Sequence, residues 1–221
     1  MITAQLSEQG NIDSSVAYFR TFQIDRASRI LDVGTRFGSF LHGLDQLGYR
    51  NTTGIDLDSS ALEAGRLAYP HLAGRLCPGD EKRLIFADGE FDVITAFDVI
   101  EHIPDVAFML REIRRVLRPD GLFIFQTPNI LTNIPKEIIY THSLTGWRTY
   151  HCSLQTLGSL RRRLRQAGFT DIVVEKRAIC TEFNLTEARE HLGALGPVVL
   201  RGLQRLPLMI YPNFWGHARR G

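Results

Sequence analysis

Strand-length apolar runs alternate with helix-period patterns along this chain, and that alternation limits what it can fold into. Four runs read as strands: "RILDVG" from Arg29, "TTGIDL" from Thr52, "FDVITAF" from Phe91 and "LFIFQT" from Leu122. Each is apolar on both faces, as in parallel strands covered by helices on both sides. Between the last two, Val106, Met109, Leu110, Ile113, Val116 and Leu117 recur at three- and four-residue intervals, with Arg111, Glu112, Arg114 and Arg115 opposite. That pattern predicts an amphipathic crossover helix ended by "RPDG". A second stripe, Leu154, Leu157, Leu160, Leu164 and Ala167, is expected to open on Ser153 as N-cap and to close on Gly168 before the strand "DIVVEK". No internal repeat or low-complexity linker separates these elements, and 221 residues suit one domain with a sizeable core. The expectation is an α/β fold, a doubly wound and mostly parallel sheet with helices on both faces, in one domain over residues 1–221.

Composition narrows the setting. Cys77, Cys152 and Cys180 lie far apart with no CxxC pair, which argues against a disulfide framework or a structural zinc site and for reduced thiols. The amino terminus carries no basic region followed by an apolar one, so nothing there resembles a signal peptide, and a cytoplasmic location is expected. The net charge of +2 hides an asymmetry: residues 1–110 hold 9 basic and 16 acidic side chains, residues 111–221 hold 17 and 8. Such a basic half suits an anionic partner, or it reflects solvated helix faces such as "RRRLR".

The loop "ILDVGTRFGSF", residues 30–40, selects among ligands. A dinucleotide fingerprint needs glycines at 34, 36 and 39, where the chain has Gly34, Arg36 and Ser39, which disfavours a nicotinamide dehydrogenase. A GxGxG loop after an acidic residue needs 34, 36 and 38, and here Asp32, Gly34 and Gly38 match while Arg36 does not. Three further stretches agree in order and spacing: "GIDLD" at 54–58, "GDEKRLIFADGEFDVI" at 79–94, and "FDVIEHIPD" followed by "LREIRRVLRPDGLFIFQTPN" from residue 97 to 129. Together they resemble the Rossmann-like S-adenosylmethionine (SAM) dependent methyltransferases, in particular the group that includes ubiquinone-biosynthesis O-methyltransferases.

The resemblance implies a seven-stranded sheet, SAM as cofactor and no metal. It implies cofactor contacts at Asp32, Gly34, Arg36, Gly38, Asp56, Leu57, Asp80, Glu81, Phe97 and Asp98. Asp56 would accept the ribose hydroxyls, and Asp80 the adenine amino group. Two departures stand out. Arg36 either answers the SAM carboxylate with its guanidinium or points into solvent. Asp120 stands where the family commonly has glycine, which a turn tolerates because aspartate visits left-handed conformations.

Methyl transfer from a sulfonium is an in-line displacement that asks mainly for alignment and exclusion of water. An oxygen nucleophile must also lose its proton, and His102, just past the "FDVITAF" strand, is the nearest base. Against this, the Glu101–His102 pair could simply orient the loop and cap the following helix. The stretch 129–154 is too long for an ordinary connection, and its Tyr140, His142, Trp147, Tyr150 and His151 suit an acceptor pocket or lid. Residues 14–24, with Val16, Phe19 and Phe22 on one side, form a short helix over the same cleft or ordinary core. The amphipathic segment within 183–212 places Val199, Leu200, Leu203 and Leu206 opposite Arg201, Gln204 and Arg205. It packs on the sheet, lies on a membrane surface, closes over a lipid-linked substrate or makes a homodimer contact. The expected function is methylation of a small-molecule, sugar or lipid-linked acceptor at oxygen, with no nucleic-acid partner. A SAM-fold binding protein without turnover is the alternative.

Overall fold

The computed structural model describes residues 12–80, 83–145, 148 and 151–221. Seven strands form one sheet: β1 (Ile30–Val33), β2 (Thr52–Asp56), β3 (Leu76–Pro78), β4 (Phe91–Phe97), β5 (Leu117–Pro128), β6 (Phe169–Glu175) and β7 (Asn213–Arg220), in the spatial order β3-β2-β1-β4-β5-β7-β6. The pairings β1–β2, β2–β3, β1–β4 and β4–β5 are parallel, whereas β7 lies antiparallel between β5 and β6. The expected α/β fold with a mostly parallel sheet is therefore present, with an antiparallel hairpin of β6 and β7 at one end.

Helices connect the strands: α1 (residues 12–19), α2 (Ser39–Gln46), α3 (Ser59–Ala68), α4 (Val106–Val116), α5 (Ile130–Thr141), α6 (Leu157–Gln166), α7 (Glu182–Leu192) and α8 (Gly196–Gln204). Successive residues along the strands enter two separate cores. Ile30, Val93 and Ile124 pack with Tyr18 and Phe19 of α1 and with Phe40, Leu41 and Leu44 of α2. Leu31, Ile94 and Phe125 pack with Leu110 and Ile113 of α4 and with Leu160 and Leu164 of α6. Period-two alternation of strand side chains produces this division.

Local chemistry moves several boundaries. Thr156, not Ser153, caps α6: its hydroxyl accepts from Ser159 N–H, and the Ser159 hydroxyl accepts from Thr156 N–H, a reciprocal box that Ser153 cannot make. Ser153 N–H instead donates to Glu101 O at 2.9 Å. Gly168 ends that helix with φ of 87°. Leu117 opens β5 rather than closing α4, so "RPDG" lies within that strand, where its pairing with Phe91 and Val93 of β4 shifts register between Leu117 and Leu122, and Asp120 takes a left-handed φ of 59°. Glu112 is buried, not solvent-facing, because its carboxylate accepts from Leu84 N–H and from Arg115. The cap of α4 is Asp105, which accepts from Phe108 N–H, rather than the Glu101–His102 pair.

The long connection after β5 is largely helical, although Pro135 interrupts the backbone ladder of α5. Asn129 anchors it. This fully buried side chain accepts from Leu131 N–H at the helix start and donates to Met209 O and Tyr211 O, at 3.0 and 2.9 Å. In the carboxy-terminal segment, Gln204 is half-buried: its carbonyl accepts from Ile179 N–H and Cys180 N–H at 2.7 and 3.3 Å. Among the described residues no helix is long and apolar enough to cross a membrane.

Asn129→Ala removes both bonds to the 209–211 carbonyls and the cap of α5, so it should destabilise the chain by about 2 to 4 kcal/mol. Urea unfolding with an unchanged slope would measure this. A loss under about 0.5 kcal/mol, the scale of an ordinary surface change, would show that the anchor contributes nothing.

Candidate active site

Ligand sites in open α/β sheets lie outside the carboxyl ends of the strands, and here a cleft of about 1690 Å³ occupies that edge. Its floor begins where β1 runs into α2. Gly34 and Gly38 have φ of 74° and 76°, and a Cβ on Gly34 would stand 2.4 Å from a Val99 methyl carbon. Both positions therefore require glycine. Arg36 is left-handed as well, with φ of 50°. Its backbone N–H donates to Asp56 Oδ2 at 2.8 Å, and its guanidinium lies 4.8 Å from the Phe37 ring centroid.

Asp56 closes β2. Its second oxygen accepts from Asp58 N–H at 2.9 Å, so one carboxylate fixes the loop after β1 and the turn after β2 together. Leu57 follows, more than half exposed, and Asp80 reaches the cleft from the turn after β3. Asp32, near the end of β1, is buried and accepts from Thr95 Oγ1 of β4 at 2.7 Å. Burial pushes its pKa up to about 7 against the lowering effect of that hydrogen bond.

The far half of the floor comes from β4 and the 3-10 turn Ile100–His102. Phe97 packs edge-on against Phe40, and Asp98 turns left-handed with its N–H donating to Gln126. Burial raises the Asp98 carboxyl above its ordinary range. Glu101, 1% exposed, accepts from Thr127 Oγ1 at 2.9 Å; burial, with the Asp98 carboxyl beside it, raises its pKa above the ordinary carboxylate range. His102 stands half exposed in the cleft, with Nε2 3.9 Å from Glu101 Oε1 and its ring 5.1 Å from that of His151. Burial lowers the His151 pKa.

Of the residues expected from the sequence, Asp32, Gly34, Arg36, Asp56, Leu57, Asp80, Phe97, Asp98, His102 and His151 all line this one cleft. Gly38 sits just behind the loop as the N-cap of α2. His142 is the exposed left-handed C-cap of α5 and is not part of the lining. Tyr140 falls in α5 without a described side chain, and Glu81, Trp147 and Tyr150 lie outside the described residues. The sequence placed 129–154 at the acceptor pocket without singling out Thr132, Asn133 and Lys136 of α5, and it missed the α7 wall, Asn184 and Glu187. For α5 the available signals were the Asn129 cap and the apolar spacing of Ile130, Ile134 and Ile138, obscured by Pro135.

A buried carboxyl whose pKa is raised in the folded chain binds its proton more tightly there than when unfolded. Its stabilisation is complete below about pH 4 and is lost as pH rises through about 7. The ligand-free chain should therefore lose stability between pH 5 and pH 8. Asp32→Asn should remove part of that loss, of order 1 to 4 kcal/mol. Urea unfolding of both proteins at the two pH values is the measurement, and identical losses would disprove a raised Asp32.

Comparison with known proteins agrees with this geometry. A family model described as "Methyltransferase domain" matches residues 7–174. A probable S-adenosylmethionine-dependent methyltransferase of Mycobacterium tuberculosis (strain ATCC 25618 / H37Rv) is 30% identical over 161 residues, 72% of this chain and 55% of its own length. A ubiquinone biosynthesis O-methyltransferase of Neisseria meningitidis serogroup C is 33% identical over 111 residues, 47% of this chain and 45% of its own length. The chain spans about half the length of the curated relatives it matches. The crystal structure of an S-adenosylmethionine-dependent methyltransferase from Mesorhizobium loti shares the fold with a TM-score of 0.70 at 20% identity, covering 95% of this chain and 100% of that one. With a family match over most of its length and a relative at 30% identity over 72% of it, this chain belongs to the methyltransferase domain family.

Proposed function

We propose that the chain transfers a methyl group from SAM to a small-molecule, sugar or lipid-linked acceptor, at oxygen. The observation that carries this reading is the opening of the carboxylate-bearing ends of β1 and β2, and of the His102–His151 pair, into one cleft. SAM lies along β1, β2 and β4 in this reading. The loop at Gly34, Arg36 and Gly38 meets its methionine end, with the uncapped start of α2 beside the carboxylate. Buried Asp32 faces the cationic side, Asp56 the ribose, Leu57 one face of the base, and Asp80 with Glu81 the adenine edge. Phe97 and Asp98 border the methyl group.

The acceptor enters over α5, with residues 129–154 as its lid, and His102 is the catalytic residue that activates its hydroxyl. Of the lid residues, Tyr140, Trp147, Tyr150 and His151 remain its proposed contacts. The acceptor oxygen attacks the methyl carbon, the carbon–sulfur bond breaks, and its electron pair stays on sulfur, leaving S-adenosylhomocysteine. Val199, Leu200 and Leu203 of α8 line the acceptor end, which favours an acceptor with a hydrocarbon part. Leu195, Val198 and Met209 are more than half exposed beside them and suit a membrane surface or a second copy of the chain. We read residues 1–221 as one doubly wound domain, supported by the two cores into which alternate strand residues pack.

Calorimetric titration with SAM should give one site per chain. Asp56→Ala should bind SAM tens to hundreds of times more weakly, the equivalent of about 2 to 4 kcal/mol. Because Asp56 also holds the loop, the 2′-deoxy analogue of SAM is the control: an equal loss for both ligands would remove Asp56 from the ribose. On the acceptor side, His102→Gln should lower kcat by about a hundredfold or more while SAM affinity stays within about twofold. An unchanged kcat would discard His102 as the activating group.

A further inference from the structure

We propose that Glu101, His102 and His151 form a binding site for a divalent transition metal ion, Zn²⁺ or a first-row neighbour such as Co²⁺ or Mn²⁺, at the acceptor end of the cleft. Each residue offers one ligand atom within 4.8 Å of the other two. Three ligands at about 2.1 Å on a tetrahedral ion stand about 3.4 Å apart, so closure asks for up to about 0.7 Å of movement by each side chain. Rotation about the two side-chain torsions of the half-exposed His102 moves its ring over that distance.

Three features beyond proximity support the site. Glu101 Oε1 and His102 Nε2 face each other at 3.9 Å, too far for a hydrogen bond and close to the span that an interposed ion would bridge. His151 Nδ1 is closed off from solvent and takes no hydrogen bond among the described residues, leaving a ring nitrogen that a ligand role would satisfy. The third feature is prior alignment. Thr127 Oγ1 donates to the other Glu101 oxygen and orients the carboxylate, as outer-shell donors do around metal sites. The Cys152 and Ser153 amides both donate to Glu101 O, at 3.0 and 2.9 Å, so the segment carrying His151 is tied to the turn carrying Glu101 and His102.

The donor set selects the ion. Two imidazoles and one carboxylate suit zinc and its first-row neighbours, whereas calcium and magnesium prefer oxygen ligands throughout. Three protein ligands leave a further coordination position toward the cleft, the arrangement of reactive rather than structural sites. A hydroxyl oxygen placed there becomes more acidic and releases its proton to solvent. Its lone pair then bonds to the methyl carbon as the carbon–sulfur pair moves onto sulfur. This inference rests on the methyl-transfer reading and gives His102 its part in it, as ligand rather than as free base.

The test uses the full, tag-free chain, stripped with a chelator and titrated with Co²⁺ and Zn²⁺ by calorimetry, with the visible absorption of bound Co²⁺ as a second signal. One ion per chain should bind. Glu101→Gln, His102→Ala and His151→Ala should each weaken binding by about tenfold or more, while SAM affinity within about twofold of wild type shows that the variants are folded. Cys152→Ser, which removes the neighbouring thiol, and His42→Ala, a histidine outside the cleft lining, should leave ion binding unchanged. A wild-type chain that binds SAM but no ion at millimolar Co²⁺ or Zn²⁺ overturns the site and leaves methyl transfer standing. Ion binding that survives His102→Ala and His151→Ala overturns it equally. Where the wild-type chain does not bind SAM, far-UV circular dichroism serves as the folding control, and ion binding lost on both substitutions in folded variants upholds the site and refutes the methyl-transfer reading.

Discussion

The parallel register of β1 with β2 and β4 is the constraint on which the cleft depends. Asp32 pairs in register with Gly54 and Thr95, so β1, β2 and β4 all end at the same edge of the sheet. Parallel pairing cannot be closed by a tight hairpin, and each strand end must pass into a loop that leads to a crossover. Asp32, Asp56 and Asp98 are therefore delivered from stretches distant in sequence to one side of the sheet. A single carboxylate, Asp56, then holds the backbone of the first loop and of the second turn at once. The left-handed residues of the loop are the price of running so close to Val99 and Leu76.

The cleft concentrates acidic groups that burial makes reluctant to ionise. Asp32, Asp98 and Glu101 all have raised pKa values, each mainly through loss of water. Hydrogen bonds from Thr95 and Thr127 offset only part of that cost. Perturbed acids gathered in a cleft mark a functional site more strongly than any one of them would alone. They also describe its ligand: a cationic sulfonium cofactor is complementary to such a wall, and so is a metal ion beside Glu101.

The walls above this floor are made by side-chain anchoring rather than by the sheet. Asn129 joins the start of α5 to the 209–211 segment, and Gln204 joins α8 to the chain after β6. Each is one side chain satisfying backbone groups of a remote segment. The two walls are thereby placed across the same opening although about 60 residues separate them in sequence.

The sequence by itself determined the elements whose signals are local. Uninterrupted apolar runs specify β1, β2, β4 and much of β5, three-four spacing specifies α4, and the Asp32–Gly34–Gly38 spacing specifies the first of the four stretches that together carry the family resemblance. Asp120 was legible too, since aspartate accepts the left-handed turn that it takes. Where two local signals competed, the sequence misled: Ser153 and Thr156 both suit a cap, and only the reciprocal bond with Ser159 decides between them. Tertiary structure alone decided the rest. Three residues are too few for β3 to carry a pattern, and β7 mixes glycine and arginine within a strand, so both owe their identity to neighbours across the sheet. Glu112 looked solvent-facing until Arg115 and the Leu84 amide closed around it. The meeting of Glu101 and His102 with His151, fifty residues on, depends on two amides donating to one carbonyl. Periodicity reports which face of an element is buried; it carries no information about which distant segment will cover that face, because that choice is made by hydrogen bonds and packing formed only once the chain has folded.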